Sequence, residues 1–364
     1  MTEPSVLIDV DPATGGHGLR GIGRQIRGLV DSLDEWPRER RERIWGIGRA
    51  GETLDRFGSH SITSRLLAVR PLDLGFILGP VAFRLAARKA RATVFHATDP
   101  YRPWLNGRIR QIVTVYDLIP LREPEMLASW RPHHRHTYHL FLEQIRHADL
   151  VVANSKTTAA DVCERLGIPP ERIAVVSPVV TAPAAAPLWR PPSSPAFLYV
   201  GGLDVTKQPE LAIEALVRFR EHHGEGRLEF VGPSSREQRA ALCQRAATLG
   251  VLDSITFRGH ISDADLDIAF TSCTALLSTS RIEGFGLPAV EAALRGVPVV
   301  AVDIPASRET VGAAATLVPP EAGAIAQALA DARPGPSDVR DSIRERYSRR
   351  SSAEALWTAY QRLM

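Results

Sequence analysis

Short β-branched runs alternate with helical stretches along the whole of this 364-residue chain, and this alternation constrains its fold more than any other feature. The runs are continuously apolar, and ten or more residues of helical periodicity follow each of them, as in Glu210–His222 and Ser235–Leu249. Apolar strands that alternate with helices are typical of parallel sheets covered on both faces. We therefore expect an α/β fold. The predicted strands are Val6–Val10, Arg43–Ile47, Thr93–His96, Ile112–Tyr116, Leu150–Ala153, Ile173–Val176, Phe197–Val200, Leu228–Val231, Ile255–Phe257, Ala275–Ser278 and Val299–Val302.

A proline-rich segment divides this pattern into two similar parts. Thr181–Pro195 contains five prolines, so neither a helix nor a strand can continue through it. The pattern predicts an N-terminal domain at 1–180, a linker at 181–195 and a second domain at 196–345.

The C-terminal segment, 346–364, is expected to form a helix at Ser352–Leu363. Leu356, Trp357 and Tyr360 fall on one side of this helix, which gives it an apolar face to bury. We expect it to return to the first domain.

Composition excludes several classes of protein. Hydrophobic residues make up 44% and charged residues 23%, which is typical of a soluble globular chain. Three widely spaced cysteines argue against a disulfide framework or a zinc site and favour a reducing compartment. The N-terminus has no basic-then-apolar leader, and prolines and charges interrupt the apolar window Leu66–Phe83. We expect a cytoplasmic protein.

The positive charge lies in the first half of the chain. Residues 1–180 contain 25 Lys and Arg against 20 Asp and Glu, whereas residues 181–364 contain 19 against 21. Solvated surface arginine explains most such patterns, but the excess also favours an anionic partner or peripheral contact with the inner face of a membrane. No RNA-binding motif or zinc finger accompanies it, so we expect no nucleic-acid partner.

The strongest chemical signal is the segment Ser280–Glu291, SRIEGFGLPAVE. It follows a predicted strand, and Gly284 and Gly286 allow the backbone to approach a ligand closely. A helix is predicted to start at Pro288, so its first free N–H groups would form an anion site suited to a diphosphate.

Two carboxylates flank this loop with seven residues between them. Glu283 lies in the loop, where it can face a sugar, and Glu291 lies about one turn into the helix, where it can accept both ribose hydroxyls. On these two residues alone, a helix-capping acid and a surface glutamate would also be consistent with the spacing.

The segment EGFGLPAVEAALRGVPVVA resembles the E-x7-E signature of glycosyltransferase family 4, whose members have the GT-B fold, two Rossmann-like domains that face each other across a cleft, and retain anomeric configuration. Four further segments resemble family motifs in the right order along most of the chain: Gly21–Arg24, Val113–Pro120, Phe197–Gly202 followed by Lys207, and Phe257–Ile261. The overall pattern is similar to the bacterial mannosyltransferase-like branch.

The resemblance implies a donor site in the second domain. Lys207 matches the basic residue that contacts the donor diphosphate, and Glu283 is implied to orient the hydroxyls of the sugar. An arginine often found near this lysine is missing, and Arg281 is a candidate replacement. The remaining candidates for donor contact are Gly21, Gly23, Gly202, His260, Ile261, Gly284, Phe285, Gly286, Leu287 and Glu291.

The first domain is implied to position the acceptor. A histidine common in the family's central motif is replaced here by Tyr116. Asp117 is therefore a candidate catalytic residue, and His96, Tyr116 and Arg24 are acceptor-side candidates.

The resemblance implies transfer of a hexose or deoxyhexose from a nucleoside-diphosphate sugar, which serves as a co-substrate with no cofactor. The acceptor class is a saccharide, a lipid-linked saccharide or a secondary metabolite; the base, the sugar and the acceptor stay open. Because Lys207 and the helix N-terminus can neutralise the diphosphate, metal-independent chemistry is expected.

Parts of the sequence are also compatible with two other functional classes. A nucleotide-sugar-binding subunit without catalysis is compatible with the departures at Gly202 and Tyr116. A nicotinamide oxidoreductase is suggested by Gly16–Gly21, which fits GxGxxG, but five residues separate these glycines from the strand. The histidine cluster His133–His139 lacks acidic or cysteine partners for a metal; contact with an acceptor is its alternative role.

Overall fold

The computed structural model describes residues 5–10, 12, 21–49, 66–69, 79–99, 109–181 and 189–364. The chain forms two compact units. One consists of Met1–Val179 together with Tyr347–Met364, and the other of Val180–Arg346. Of the predicted linker 181–195, residues 182–188 lie outside the described part.

The first unit contains a fully parallel sheet of seven strands in the order β3-β2-β1-β4-β5-β6-β7. The strands are β1 Val6–Asp9, β2 Ile44–Arg49, β3 Leu66–Val69, β4 Val94–Ala97, β5 Arg110–Val115, β6 Leu150–Ala153 and β7 Ile173–Val175. The helices that accompany them are α1 Gly21–Ser32, α2 Arg38–Arg41, α3 Gly79–Lys89, α4 Ile119–Arg122, α5 Pro124–Ser129, α6 Pro132–His147 and α7 Lys156–Leu166.

Apolar packing covers both faces of this sheet. Helix α1 buries Ile26 and Val30 in one core, while α3 and α6 bury residues such as Phe83 and Phe141 in another. Both cores draw residues from the same strands, because successive side chains of a strand point to opposite faces.

The second unit contains a fully parallel sheet of six strands in the order β10-β9-β8-β11-β12-β13. The strands are β8 Ala196–Val200, β9 Arg227–Val231, β10 Ile255–Gly259, β11 Ala275–Ser278, β12 Val299–Val302 and β13 Thr316–Val318. The helices are α8 Pro209–His223, α9 Arg236–Thr248, α10 Asp263–Ser272, α11 Leu287–Leu294, α12 Pro305–Thr310, α13 Ala322–Ala330 and α14 Ser337–Arg346.

The C-terminal helix α15, Arg349–Gln361, belongs to the first unit. Its Trp357 ring packs edge-on against Trp36, with 5.3 Å between the ring centroids. The Trp36 indole N–H donates to the carbonyl of Ala353 at 3.0 Å. Leu356 and Tyr360 are fully buried in the same core. The apolar stripe therefore packs α15 on α1 and the turn that follows it.

The predicted α/β class with two parallel sheets is confirmed, and all eleven predicted strands are present within about two residues at each end. The strands β3 and β13 were missed, and both lie at sheet edges. β3 falls in the apolar window that prolines interrupt, and β13 has three residues, too few to show a period. Among the described residues, no helix is both long and apolar enough to cross a membrane.

Candidate active site

The order of strands in the second unit singles out β8 and β11. From β8 the chain moves to β9 and β10 on one side, and from β11 it moves to β12 and β13 on the other. Loops that leave two such neighbouring strands diverge and open a crevice at the carboxyl ends, which is where open α/β sheets bind ligands. The loops after β8 and β11 contain Lys207 and Glu283.

The loop after β8 is held in place by polar contacts of its own. The Asp204 carboxylate accepts the N–H of Thr206 at 3.2 Å and so caps a 3₁₀ turn that ends at Lys207. The Tyr199 hydroxyl donates to the carbonyl of Gly202 at 2.9 Å. Burial, together with the charges of Asp204 and other nearby carboxylates, raises the pKa of Tyr199, so the phenol stays protonated and keeps donating.

The loop after β11 is tied directly to the first loop. The hydroxyl oxygen of Thr279 lies 2.8 Å from the carbonyl oxygen of Lys207 and 2.9 Å from that of Gln208. The backbone N–H of Arg281 donates to the carbonyl of Thr206 at 2.9 Å. These contacts join the two loops, and Thr279 is buried at their junction.

Lys207 and Glu283 meet at this junction. The Lys207 ammonium forms an ion pair with a Glu283 carboxylate oxygen, and the two side chains are 24% and 15% exposed. A partly exposed lysine is a flexible point charge that can move to an incoming phosphate. The pair places a cation and an anion at one point that solvent can reach.

Helix α11 begins beside this pair. Gly286 precedes it with φ of +84°, a left-handed conformation that a residue with a Cβ rarely adopts. The helix runs over Leu287–Leu294, so its first residue is Leu287 and Pro288 is the second; the prediction that it starts at Pro288 was wrong by one residue. Pro288 has no N–H, and the N–H of Ala289 donates to the carbonyl of Gly286 at 3.2 Å. Leu287 therefore contributes the first N–H of the helix, at the end where the helix dipole is positive.

Glu291 lies on the second turn of α11 with a half-buried side chain. Its backbone carbonyl accepts from the Arg295 guanidinium at 2.8 Å. Arg295 also pairs with Asp267 and lies over the Phe270 ring at 5.0 Å from the centroid. These contacts fix the second half of α11 against α10 and so hold the backbone that carries Glu291.

Close backbone packing joins the carboxyl ends of β8, β9 and β10. A Cβ added to Gly232 would lie 2.1 Å from the carbonyl oxygen of Gly201, so only glycine fits there. The N–H of Gly232 donates to the carbonyl of Gly259 at 2.8 Å. His260 and Ile261 follow directly, the first exposed and the second half-buried.

The remaining second-unit candidates differ in exposure. Gly202 is half-buried, Gly284 and Phe285 are buried, and the Arg281 side chain is exposed. The structure therefore brings Lys207, Glu283 and the N-terminus of α11 together, with Arg281 anchored to the same loop by its backbone.

The structure contradicts one acceptor-side candidate in the first unit. His96 is fully buried, and its ring nitrogens lie 2.8 Å from the hydroxyls of Tyr360 and Thr114. Burial lowers the pKa of His96 to about 3, so the ring is neutral at physiological pH. The expectation that His96 contacts an acceptor was wrong, since the ring links β4 and β5 to α15.

Tyr116 and Asp117 follow strand β5 in the first unit. The buried Tyr116 hydroxyl donates to the carbonyl of Thr98 at 2.8 Å, and burial, with Asp99 and Asp9 nearby, raises the pKa of Tyr116. The Asp117 carboxylate is half-buried and accepts the N–H of Ile119 at 3.1 Å. Asp117 thus retains access to solvent, while Tyr116 donates into the protein.

Gly21, Gly23 and Arg24 lie in the first turn of α1. Further along the helix, the apolar residues Ile26, Leu29 and Val30 recur at helical spacing and are buried. The other glycines of the GxGxxG match, Gly16 and Gly18, lie outside the described residues.

Sequence reasoning missed Tyr199, Thr279 and Gly232 as parts of this site. Tyr199 and Thr279 lie in or next to strands, and only the fold reveals that their hydroxyls hold the Lys207 loop. A glycine directly after an apolar strand was the available signal for Gly232. In the described part of the chain, no group of three or more His, Cys, Asp or Glu side chains is arranged to hold a metal ion.

Two family models match the chain in succession. Residues 21–182 match the model described as Glycosyltransferase Family 4, and residues 184–349 match Glycosyl transferases group 1. The chain belongs to glycosyltransferase family 4. The family assignment made from the five motifs is confirmed.

The curated relatives are named as glycosyltransferases. A D-inositol 3-phosphate glycosyltransferase from Salinispora arenicola is 27% identical over 60% of this chain and 56% of its own length. The match covers between 38% and 56% of the length of the first three curated relatives.

Solved structures share the fold along nearly the whole chain. A sucrose-phosphate synthase from Thermosynechococcus elongatus superposes with a TM-score of 0.72 at 21% identity, covering 99% of both chains. The Anabaena protein HepE, solved with UDP and glucose, superposes with a TM-score of 0.70 at 18% identity, covering 98% of this chain and 99% of its own. The fold is that of the GT-B glycosyltransferases.

Proposed function

We propose that this chain is a retaining glycosyltransferase that moves a hexose or deoxyhexose from a nucleoside-diphosphate sugar to an acceptor hydroxyl. The observation that carries the proposal is the Lys207–Glu283 pair beside the N-terminus of α11, at the carboxyl ends of β8 and β11. A donor sugar needs positive charge for its diphosphate and a carboxylate for its hydroxyls, and these residues supply both.

The chemistry follows from where charge develops. The bond between the anomeric carbon and the diphosphate oxygen breaks through an oxocarbenium-like state, and negative charge grows on the leaving diphosphate. Lys207, Arg281 and the N-terminus of α11 with the N–H of Leu287 would stabilise that charge more strongly in the transition state than in the ground state.

The acceptor hydroxyl would attack the anomeric carbon from the same face that the diphosphate leaves. Its proton would pass to an oxygen of the departing diphosphate, so that no covalent sugar–enzyme intermediate is needed. Glu283 would orient the sugar hydroxyls, Glu291 would bind the ribose, and His260 with Ile261 would lie against the base. Asp117 would assist on the acceptor side.

The relatives suggest which substrates to test first. HepE has been solved with UDP, and several curated relatives are named for D-inositol 3-phosphate. Saccharides, lipid-linked saccharides and secondary metabolites complete the acceptor panel, and mannose leads the sugar panel because of the similarity to the mannosyltransferase-like branch.

A thermal-shift panel of UDP, GDP, dTDP and ADP tests the donor site, since a ligand that binds only the native state raises its stability. The nucleotide that shifts the melting temperature most identifies the base. Release of that nucleotide from its sugar in the presence of acceptor then tests transfer, and NMR of the product tests retention.

Metal independence has its own test. If Lys207 and the N-terminus of α11 neutralise the diphosphate, turnover survives chelation by EDTA. Complete loss of turnover, restored by magnesium or manganese, would contradict this part of the proposal.

A second candidate is a nucleotide-sugar-binding subunit without catalysis. The observation that favours it is Tyr116, which stands where the family commonly has a histidine and donates its hydroxyl proton to Thr98. Binding of the donor without nucleotide release for any acceptor would favour this candidate.

A further inference from the structure

Two helices cover the same face of the first sheet. Helix α3 buries Phe83 and Ala87 in the core on that face, and α6 buries Phe141 and Ile145 in the same core. The opposite sides of both helices therefore point away from the sheet in the same general direction.

The outer side of α3 and the turn after it is basic and partly apolar. Arg84, Arg88, Lys89 and Arg91 are exposed, and none forms an ion pair with a described carboxylate. Leu85 lies among them with 59% of its surface exposed. No acidic residue occurs from 79 to 98.

The first half of α6 continues this character. Arg131 and four histidines are exposed, and Leu140 is 44% exposed. No acidic residue occurs from 126 to 142. The outward side chains at 84–91 and 131–140 are together called the basic surface below.

Several exposed arginines on the helices of the second unit pair with carboxylates, namely Arg218 with Glu221, Arg245 with Glu214 and Arg344 with Asp341. Helix surfaces of mixed charge, with such ion pairs, are typical of faces exposed to solvent. In the basic surface, none of the arginines and lysines pairs with a carboxylate of the residues that the structure describes, and exposed leucines lie among them.

We propose that the basic surface docks the first unit on a lipid bilayer that contains anionic headgroups. Unpaired arginine and lysine side chains are attracted to an anionic leaflet, and each contributes to binding near the surface. Exposed leucines on the same side can enter the boundary between headgroups and acyl chains. The leucines favour a bilayer over a nucleic acid, whose phosphates would engage the cations only.

Vesicle co-sedimentation of the full chain tests this proposal. The vesicles are phosphatidylcholine with or without about a quarter phosphatidylglycerol. The variant Arg84→Glu/Arg88→Glu reverses two charges on the basic surface, and Arg218→Glu/Arg344→Glu reverses two in the second unit. The two variants change net charge equally, so only the position of the charge differs.

The wild type and the second-unit variant are expected to bind the anionic vesicles alone. The Arg84/Arg88 variant is expected to bind about tenfold or more weakly, and Leu85→Ser to weaken binding less. Raising the salt from about 0.1 M to about 1 M should release the wild type, because screening shortens the range of its charges.

Three results would overturn the proposal: no binding to anionic vesicles, equal loss in both reversal variants, or full binding by the Arg84/Arg88 variant. Binding to single-stranded DNA in place of vesicles, with the same dependence on Arg84 and Arg88, would assign the basic surface to nucleic acid instead.

Discussion

Both units contain a parallel sheet with a reversal of strand order, but the side chains at the two reversals differ in exposure. At the carboxyl ends of β8 and β11 in the second unit, Lys207 and Glu283 remain partly exposed. At the matching point of the first unit, between β1 and β4, the buried Thr98 hydroxyl donates to the carbonyl of Asp9 at 2.7 Å, and His96 is bonded on both ring nitrogens.

The strand order creates the crevice, and the side chains beside it determine whether polar groups there are exposed or buried. A reversal of strand order leaves a crevice in either sheet. In the second unit Lys207 and Glu283, which lie on the loops beside it, are partly exposed. In the described part of the first unit, His96 and Tyr360 instead attach the C-terminal helix to the sheet.

Removing the Lys207 ammonium should have the largest effect. In Lys207→Ala we expect kcat to fall by about 10²–10³, since a charge aimed at the leaving group is lost. Steady-state kinetics measure this, and circular dichroism checks the fold. The matched control is Lys156→Ala, an exposed lysine at the start of α7; an equal fall in both variants would break the contrast between units.

Glu291 should matter for nucleotide affinity. If its carboxylate accepts the ribose hydroxyls, Glu291→Ala weakens nucleotide binding by about 1.5–3 kcal/mol, because charged acceptors form the stronger hydrogen bonds. Calorimetry measures the affinity, with Glu237→Ala on the exposed side of α9 as control. If Glu291→Ala left the affinity unchanged, Glu291 would not bind the ribose.

Thr279 should act through Lys207. The Thr279→Val change removes the hydroxyl that contacts the carbonyls of Lys207 and Gln208, and we expect a loss of about 1 kcal/mol, or about fivefold, in kcat with little change in KM. Thr279→Ser keeps the hydroxyl and should restore most of kcat. If serine and valine behaved alike, the hydroxyl would not position the lysine.

His96 should affect stability but not transfer. Its folded pKa of about 3 lies below the ordinary value of about 6.5, so the unfolded chain binds the proton more readily. The contribution of His96 is therefore complete above about pH 6.5 and falls by up to about 1.4 kcal/mol per pH unit as the pH drops toward 3.

The variant His96→Gln does not titrate at this position. Denaturant unfolding at several pH values should show a flatter acid dependence in the variant, and activity per folded molecule at neutral pH should match the wild type. A large loss of activity with the fold intact would show that His96 takes part in transfer, as an acceptor-side residue would.

The sequence predicted much of the fold because each long strand is apolar and bounded by turn residues. It missed β3 and β13, where edge strands are short. In the site, the spacing of Glu283 and Glu291 and the glycines between them predicted the loop and helix that the structure contains. A lysine and a glutamate 76 residues apart cannot be paired from spacing, because that contact depends on the order of β8 and β11 in the sheet.

First-unit roles were harder to infer. His96 lies at the end of an apolar strand, where it could face a ligand or the core, and only the position of α15 decides between them. The Tyr360 hydroxyl that it contacts lies 264 residues away. Such a partner leaves no local signal in the sequence.

The most direct test of the donor assignment is a crystal structure of the full chain with the nucleoside diphosphate that gives the largest thermal shift. We predict phosphate oxygens within about 2.7–3.2 Å of the Lys207 ammonium and of the Leu287 N–H at the start of α11, with the ribose hydroxyls on Glu291. A nucleotide bound at the carboxyl ends of β1 and β4 in the first unit, with Lys207 still paired to Glu283, would contradict the account.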